Sequence, residues 1–223
     1  MPRTLRASEG GYCYHVLNRG NRRAEVFHKD GDYAAFLALV VEASIRLPVP
    51  VLAYCLMPNH FHLVVRPDGD GDLSRWMHWL TTAHARRYLR HYGGSGHVWQ
   101  GRFKAFPCQD DDHLRTVVRY VERNPLRAGL VERAEDWPWS SLAAVVPERA
   151  PKIDSTRFER GPGWIERVNA PMTDAEAAAV SASIRRDRPF GSDAWARTTA
   201  EKLGLQSSLR NRGRPTMRRP AEM

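Results

Sequence analysis

The segment Val51–Val65 constrains the fold of this chain more than any other, because it has the form of a β-hairpin. Two short apolar runs, VLAYCLM at 51–57 and HFHLVV at 60–65, are separated only by Pro58 and Asn59. Pro followed by Asn is typical of a turn. A two-residue connection can join only antiparallel neighbours, so the sequence predicts a sheet with antiparallel pairs.

Elements on both sides of the hairpin extend this pattern. Apolar spacing and chain breakers predict a strand at 11–19, a helix at 31–46, a helix at 73–92, a strand at 97–107 with a central glycine, and a helix at about 111–123. The resulting order, β-α-β-β-α-β-α, is close to a ferredoxin-like split unit. We therefore predict an α+β fold, an antiparallel sheet with helices packed on one face.

The second part of the chain differs in character. Residues 137–170 contain three tryptophans and four prolines with little apolar periodicity, which predicts irregular chain lying over the core. Short helices are expected at 173–186 and 192–203. The end of the chain, LRNRGRPTMRRP, has five arginines and no acid, too little apolar surface to fold alone. The predicted organisation is a catalytic domain at 1–135, a packed irregular and helical extension at 136–205, and a basic, flexible tail at 206–223.

The charge of the chain points to a polyanionic partner. Lys and Arg exceed Asp and Glu by nine, and 30 of the 34 basic residues are Arg, which grips phosphate with two hydrogen bonds. Nucleic acid is the leading partner class and acidic protein the alternative. No apolar run approaches the roughly 20 residues of a membrane helix, and the N-terminus lacks a signal sequence. Three scattered cysteines suggest a reducing compartment, so we expect a cytoplasmic, nucleoid-associated protein without membrane contact.

The most distinctive local feature is His60-Phe61-His62. Side chains two apart on a strand point to the same face, so the two imidazoles can converge on one metal ion while Phe61 enters the core. Alone, such a pair is more often structural or incidental than a metal site.

A second feature is RYVERNPLRAGLV at 119–131. On a helix, Tyr120 and Asn124 lie four residues apart and share a face. Tyr120 then lies at the edge of the apolar stripe that docks the helix, where it is either a core-edge residue or a group that reaches a site. Asn124 stands before Pro125, a position common for turn and cap residues.

Together these segments resemble a known family. The hairpin YCLMPNHFHLVV, then VWQGRFKA, then RYVERNPLRAGLV, is similar to the HUH single-tyrosine transposases of the insertion-sequence type. The branch it most resembles is the REP-associated tyrosine transposases, and the C-terminal run RPFGSDAWARTTAEKLGLQSSLRNRGRP resembles that branch too. The resemblance spans the chain from the Tyr14–Asn21 segment to the tail.

The resemblance implies a role for each matching residue. His60 and His62 would be the metal ligands, with Mg²⁺ or Mn²⁺ as the metal, and Tyr120 would be the nucleophile. Asn124 matches the position where relatives place a polar third ligand, often Gln, and is one methylene shorter. REP-associated relatives are thought to act as monomers with the site in cis, and we expect the same here.

Several basic and polar residues are candidate DNA contacts, with a solvated surface as the alternative for each. Arg19, Arg22 and Arg23 follow the first strand. Gln100, Arg102 and Lys104 alternate on the strand predicted at 97–107, which would give them a common face. In the tail, Arg212-Gly213-Arg214-Pro215 resembles an AT-hook, whose extended arginines fit a narrow minor groove.

These observations lead to one functional hypothesis and two rivals. We expect a metal-dependent single-stranded DNA endonuclease and strand transferase that recognises a DNA hairpin of a palindromic repeat and cuts beside it through a 5′-phosphotyrosine intermediate. The first rival is a hairpin-DNA- or RNA-binding protein of the same fold that does not cut. The second is a metal-dependent phosphodiesterase that uses water.

Overall fold

The computed structural model describes residues 7–210. The predicted strands and helices form close to the expected positions, and further short helices appear in the extension. The strands are β1 (Cys13–Arg19), β2 (Val51–Met57), β3 (His60–Val65) and β4 (Lys104–Cys108). The helices are α1 (Asp30–Arg46), α2 (Asp72–Tyr92), α3 (Asp112–Glu122), α4 (Asn124–Arg127), α5 (Trp164–Asn169), α6 (Asp174–Arg186), α7 (Asp193–Lys202) and α8 (Gln206–Leu209).

The sheet has the order β2-β3-β1-β4, and each neighbouring pair is antiparallel. This is the ferredoxin-like arrangement predicted from the order of elements, and the α+β fold class is confirmed. The hairpin β2–β3 turns at Pro58 and Asn59 as expected. In the register, His62 lies opposite Leu17 of β1 and His60 lies opposite Arg19.

Helices cover both faces of the sheet, so the prediction that they pack on one face is wrong. On one face, α1 and α2 bury Phe36, Leu37 and Trp76 against strand residues that include Phe61. On the other face, α3 packs Val117 and Val121 against the alternate strand residues. The reason is visible in β2, which is buried along its whole length and therefore needs an apolar cover on each side.

The fourth strand is shorter than predicted. β4 begins at Lys104, and residues 97–103 form irregular chain apart from a single bridge between Trp99 and Gly20. Gly101 has a φ of 74°, in the left-handed region, which a continuous strand does not allow. The central glycine therefore ends the pairing instead of forming a bulge within it.

The extension covers both edges of the sheet. Along β2, the backbone of Trp139 accepts from Leu56 and that of Ser141 donates to Tyr54. Along β4, Phe190 donates to Pro107 and accepts from Gln109. Satisfying these edge groups protects the sheet from pairing with other chains.

The helices of the extension differ from the prediction only in their short members. Those expected at 173–186 and 192–203 are present as α6 and α7. α5 was not expected, because six residues after Gly163 are too few to show apolar periodicity. α8 lies in the segment predicted as tail, and its Ser208 is buried. Within residues 7–210, none of the helices combines the length and hydropathy that crossing a bilayer requires.

Candidate active site

The two histidines of the hairpin point to the face of the sheet that α3 covers. They are two residues apart on β3, while Phe61 between them is fully buried on the opposite face. The imidazole centroids of His60 and His62 lie 5.0 Å apart, with the rings nearly perpendicular. The strand alternation therefore brings the pair together as the sequence predicted.

Each imidazole is fixed by a hydrogen bond at its Nδ1 atom. His60 Nδ1 lies 2.6 Å from Asn59 Oδ1, and because an amide oxygen only accepts, Nδ1 carries the proton. His62 Nδ1 lies 2.8 Å from His15 Nε2, which is buried beneath it on β1. The sequence analysis identified neither Asn59 nor His15 as a partner of these histidines. His15 could have been found, because it lies on the same strand face as Leu17 and Arg19.

The environment keeps both imidazoles neutral. Burial, reinforced by the positive charges of Arg19 and Arg127, lowers the pKa of His60 to about 4. Burial also holds the pKa of His62 well below its usual range, with the neighbouring histidines and the same two arginines adding to the effect. Neutral imidazole is the form that binds a metal ion.

Tyr120 is carried to this pair by α3. The helix begins at an N-cap, Asp111, whose side chain accepts from the backbone of His113, and its apolar stripe docks on the sheet. Tyr120 is only 5% exposed, and its ring centroid lies 6.1 Å from that of His62. The predicted position at the edge of the stripe thus coincides with a position beside the histidines.

Arg127 is a further residue of this site that the sequence analysis did not identify. Its Nη2 donates to Tyr120 Oη and to Asn124 Oδ1, at 3.1 Å in each case, and its guanidinium carbon lies 4.8 Å from the Tyr120 ring centroid. The spacing of seven residues, about two helical turns, was the available signal, but Pro125 obscured it. Here Pro125 takes the first turn of α4, where the ring is tolerated.

Asn124 caps the end of the tyrosine helix. Its Nδ2 donates to the backbone oxygen of Tyr120 at 2.8 Å, and its side chain is buried. Its Oδ1 accepts from Arg127, which uses one of the two lone pairs of that oxygen. The cap role raised by the sequence is thus present, and one lone pair remains for a ligand role.

The site fits a divalent cation with two of the three expected ligands, the imidazoles of His60 and His62. Both imidazoles have their Nδ1 atoms engaged, the second-sphere pattern that orients metal-binding histidines. Within residues 7–210, no group of three or more His, Cys, Asp or Glu side chains is arranged to hold a metal. Among the described residues, the Asn124 amide remains a candidate third ligand, since its Oδ1 has one free lone pair. Imidazole is a better ligand for Mn²⁺ than for Mg²⁺, which prefers oxygen.

The first group of predicted DNA contacts surrounds this site. Arg19 lies opposite His60 in the sheet and acts on both histidines electrostatically. Arg22 and Arg23 follow in an exposed turn and have φ values of 54° and 63°, which are strained for non-glycine residues. Asn59 Nδ2 donates to the backbone oxygen of Arg23, so the turn is tied to His60 through one side chain.

The second group does not share a strand face, contrary to prediction. Gln100 and Arg102 are exposed in the irregular segment before β4. Lys104 is the first residue of β4, and its Nζ donates to the backbone oxygens of Ile184 and Arg185 at the end of α6. That contact compensates the negative end of the helix. Arg212 and Arg214 lie outside the described residues.

Comparison with known proteins agrees with this geometry. Residues 10–124 match the family described as Transposase IS200 like. The chain is 27% identical over 136 residues to a REP-associated tyrosine transposase of Escherichia coli (strain K12), covering 60% of this chain and 78% of that protein. It is 31% identical over 117 residues to a putative REP-associated tyrosine transposase of Haemophilus influenzae (strain ATCC 51907 / DSM 11121 / KW20 / Rd), covering 45% of this chain and 66% of that protein.

A solved structure shares the fold. It is that of a REP-associated tyrosine transposase bound to a REP hairpin, with a TM-score of 0.52 at 22% identity, and the match covers 70% of this chain and all of the other. The matching family segment contains the histidine pair, Tyr120 and Asn124, and it spans half of the chain. This chain therefore belongs to the IS200-like transposase family, enzymes that cut and join DNA.

Proposed function

We propose that this chain is a metal-dependent single-stranded DNA endonuclease and strand transferase that cuts beside DNA hairpins and forms a 5′-phosphotyrosine intermediate. The observation that carries the proposal is the position of Tyr120, whose hydroxyl contacts the Arg127 guanidinium and whose ring centroid lies 6.1 Å from that of the neutral His62. A tyrosine with only a packing role needs neither neighbour.

The chemistry follows from the charges of these groups. The Tyr120 oxygen attacks the scissile phosphorus, the bond from phosphorus to the 3′ oxygen breaks, and that oxygen leaves with a proton as a free 3′-hydroxyl. Arg127 stabilises negative charge on the phenolic oxygen when it attacks and again when it leaves. His60 and His62 would hold a divalent cation, Mg²⁺ or Mn²⁺, which would offset the charge of the scissile phosphate. The phosphotyrosine bond conserves the phosphodiester energy, so a second strand can be joined without ATP.

The substrate is a hairpin with unpaired flanking DNA. Both relatives are REP-associated transposases, and the solved neighbour is bound to a REP hairpin. The surplus of nine positive charges in this chain suits a folded DNA strand. Arg19 lies opposite His60, and Arg22 and Arg23 follow in the exposed turn that Asn59 contacts, where they can hold the backbone next to the cut.

The nucleophile acts in cis, because the extension fixes the tyrosine helix to its own chain. Arg119 donates to the backbone oxygens of Ala170 and Pro171, at 2.9 and 3.0 Å. Glu122 is fully buried and accepts from Ser141, Arg160 and Trp164, all residues of the extension. A helix held at successive turns is not available for exchange with a second copy, which supports a monomer as the active form.

The test is cleavage of a hairpin oligonucleotide with an unpaired flank, with and without Mn²⁺ or Mg²⁺. Wild-type protein should cut only with metal, and the His60→Ala and His62→Ala variants should fail to cut while still binding the hairpin. His78→Ala, an exposed histidine of α2, is the matched control and should cut normally. Metal-independent cleavage, or full activity of both histidine variants, would refute the proposed metal site. Binding without any cleavage would instead indicate the non-cleaving module.

A further inference from the structure

A cluster of aromatic and basic side chains lies at the C-terminal end of α2, outside the residues assigned above. The last turns of that helix have the sequence RRYLRHY, and the loop that follows is GGSG. The residues that precede α1 complete the cluster. We call this the α2-end surface and define it by His28, Lys29, Tyr88, His91 and Tyr92.

The rings of the α2-end surface are held in fixed positions. Tyr92 Oη donates to the buried Asp32 carboxylate at 2.5 Å, although the Tyr92 side chain is largely at the surface with 40% exposure. Tyr88 Oη and His28 Nε2 are 2.9 Å apart. The two tyrosine rings lie 4.9 Å apart, and His28 lies 4.8 Å from Tyr92. An exposed ring anchored at its hydroxyl loses little entropy when a planar ligand stacks on it.

The charge around these rings suits a polyanion. Between Asp72 and Asp110 the sequence contains no acidic residue, and Arg86, Arg87 and Arg90 are exposed on the last turns of α2. Lys29 Nζ lies 5.7 Å from the Tyr92 ring centroid. Three acidic neighbours, Glu25, Asp30 and the buried Asp32, precede or begin α1, so the four cations exceed the carboxylates by one.

The α2-end surface lies on the α2 side of the sheet, and residues between β1 and α1 connect it to the proposed active site around the turn of the β2–β3 hairpin. Tyr88 lines a cavity of about 220 Å³ together with Asn21, Glu25 and the loop 93–98. The neighbouring turn carries Arg22 and Arg23, and the Arg23 backbone oxygen accepts from Asn59, which in turn accepts from His60. One path of contiguous residues thus leads from the metal-binding histidine to the aromatic cluster.

We propose that the α2-end surface binds the unpaired nucleotides that flank the DNA hairpin, with bases stacked on Tyr92 and the backbone held by the arginines of α2. Aromatic rings bordered by cations are how proteins bind single-stranded DNA without reading its sequence. The assignment rests on the proposed function and adds a second contact region for the strand that leaves the active site.

The experiment measures the affinity of the full chain for two oligonucleotides, one hairpin with an unpaired flank and the same hairpin with blunt ends. Tyr92→Ala should weaken binding of the flanked hairpin by about tenfold, the usual effect of removing one stacked base. It should leave the blunt hairpin unaffected. Tyr92→Trp should restore the flanked affinity, because it keeps a stacking face without the hydroxyl.

Trp79→Ala is the control on the same helix. Its ring lies under Arg46 at the far end of α1, roughly 20 Å along α2 from Tyr92, and its loss should not change the ratio of the two affinities. Wild-type affinity of Tyr92→Ala for the flanked hairpin, or an equal loss on both oligonucleotides, would overturn the inference and leave the proposed function intact. A wild-type chain that bound neither DNA would overturn both.

Discussion

Arg127 connects Tyr120, the proposed nucleophile, to Asn124 and gives the tyrosine a contact that packing alone does not explain. One guanidinium nitrogen contacts both the phenolic oxygen and the Asn124 amide, while its plane covers the tyrosine ring. The same charge helps to keep His60 and His62 neutral. Arg127 thus acts both on the proposed nucleophile and on the two proposed metal ligands.

Replacing Arg127 with Gln should therefore reduce the single-turnover rate of strand cleavage by about 100-fold, the usual loss when one donor to a developing charge is removed. Affinity for the hairpin should change much less than the rate, because only one positive charge is removed from a chain with a surplus of nine. Arg127→Lys should recover only part of the rate, since an ammonium lacks the planar face that covers the Tyr120 ring. A Gln variant that cleaves at the wild-type rate would remove Arg127 from the mechanism.

At the scale of residues, the sequence predicted the histidine pair but not the residues that hydrogen-bond the two imidazoles. The alternation of a strand is regular, so HFH places two imidazoles on one face without further information. His15 and Asn59 become visible only when the register of β1 against β3 and the shape of the turn are known. Both depend on pairing between distant segments, which a single sequence does not specify.

At the scale of elements, α3 depends on the extension to compensate the charge of its buried Glu122. Glu122 is fully buried two residues from the nucleophile, and Arg160 meets it from the extension. Removing one member of a buried ion pair leaves the other charge without compensation. The tyrosine helix and the extension should therefore be stable only together.

Glu122→Ala should lower the free energy of unfolding by about 3 kcal/mol, as measured by urea denaturation. Arg160→Ala should cost at least as much, because it leaves the fully buried Glu122 carboxylate without its cation. The double variant should lose clearly less than the sum of the two single losses, since the two residues form one interaction. Strictly additive losses would show that Glu122 and Arg160 are not energetically coupled.

α2 contains a buried histidine that couples stability to pH. His84 packs among Phe27, Phe36 and Trp99, and burial lowers its pKa to about 3. In the unfolded chain the pKa of His84 is near 6.5. Below that pH the unfolded chain binds a proton at His84 and the folded chain does not. The stability contributed by neutral His84 is therefore complete above pH 6.5 and is lost as the pH falls toward 3.

Between pH 6.5 and 4, protonation of His84 in the unfolded chain should lower the unfolding free energy of the wild type by about 1.4 kcal/mol per pH unit. His84→Phe should remove this part of the slope. The aromatic site accepts a phenyl ring without a new polar group. His78→Phe, exposed on the same helix, is the control and should leave the slope unchanged. Equal slopes for wild type and His84→Phe would contradict the assignment.

Most elements followed from apolar periodicity, and the failures have local causes. β4 was predicted seven residues too early because HVWQGRF has strand-like composition, whereas the left-handed Gly101 interrupts pairing. α3 was placed correctly along the chain but on the wrong face, because periodicity shows which side of a helix is buried and not which side of the sheet buries it.

At the scale of the whole molecule, the extension closes both sheet edges and holds the tyrosine helix. The arrangement makes a specific prediction for mixtures of variants. If each active site is built from one chain, Tyr120→Phe mixed with His62→Ala should form no more covalent adduct than either variant alone. In a dimer that exchanges α3, one of the two sites would be intact, and adduct formation would return on mixing.

The most direct measurement is the covalent adduct itself. Wild-type protein incubated with Mn²⁺ and a flanked hairpin, labelled on the fragment that carries the new 5′ end, should retain the label on a denaturing gel. Mass spectrometry of the digested product should place the phosphate on Tyr120. Tyr120→Phe should bind the hairpin with near wild-type affinity and form no adduct, because only the phenolic oxygen is lost. An adduct on Tyr120→Phe, or cleavage by the wild type without any covalent product, would contradict the central claim.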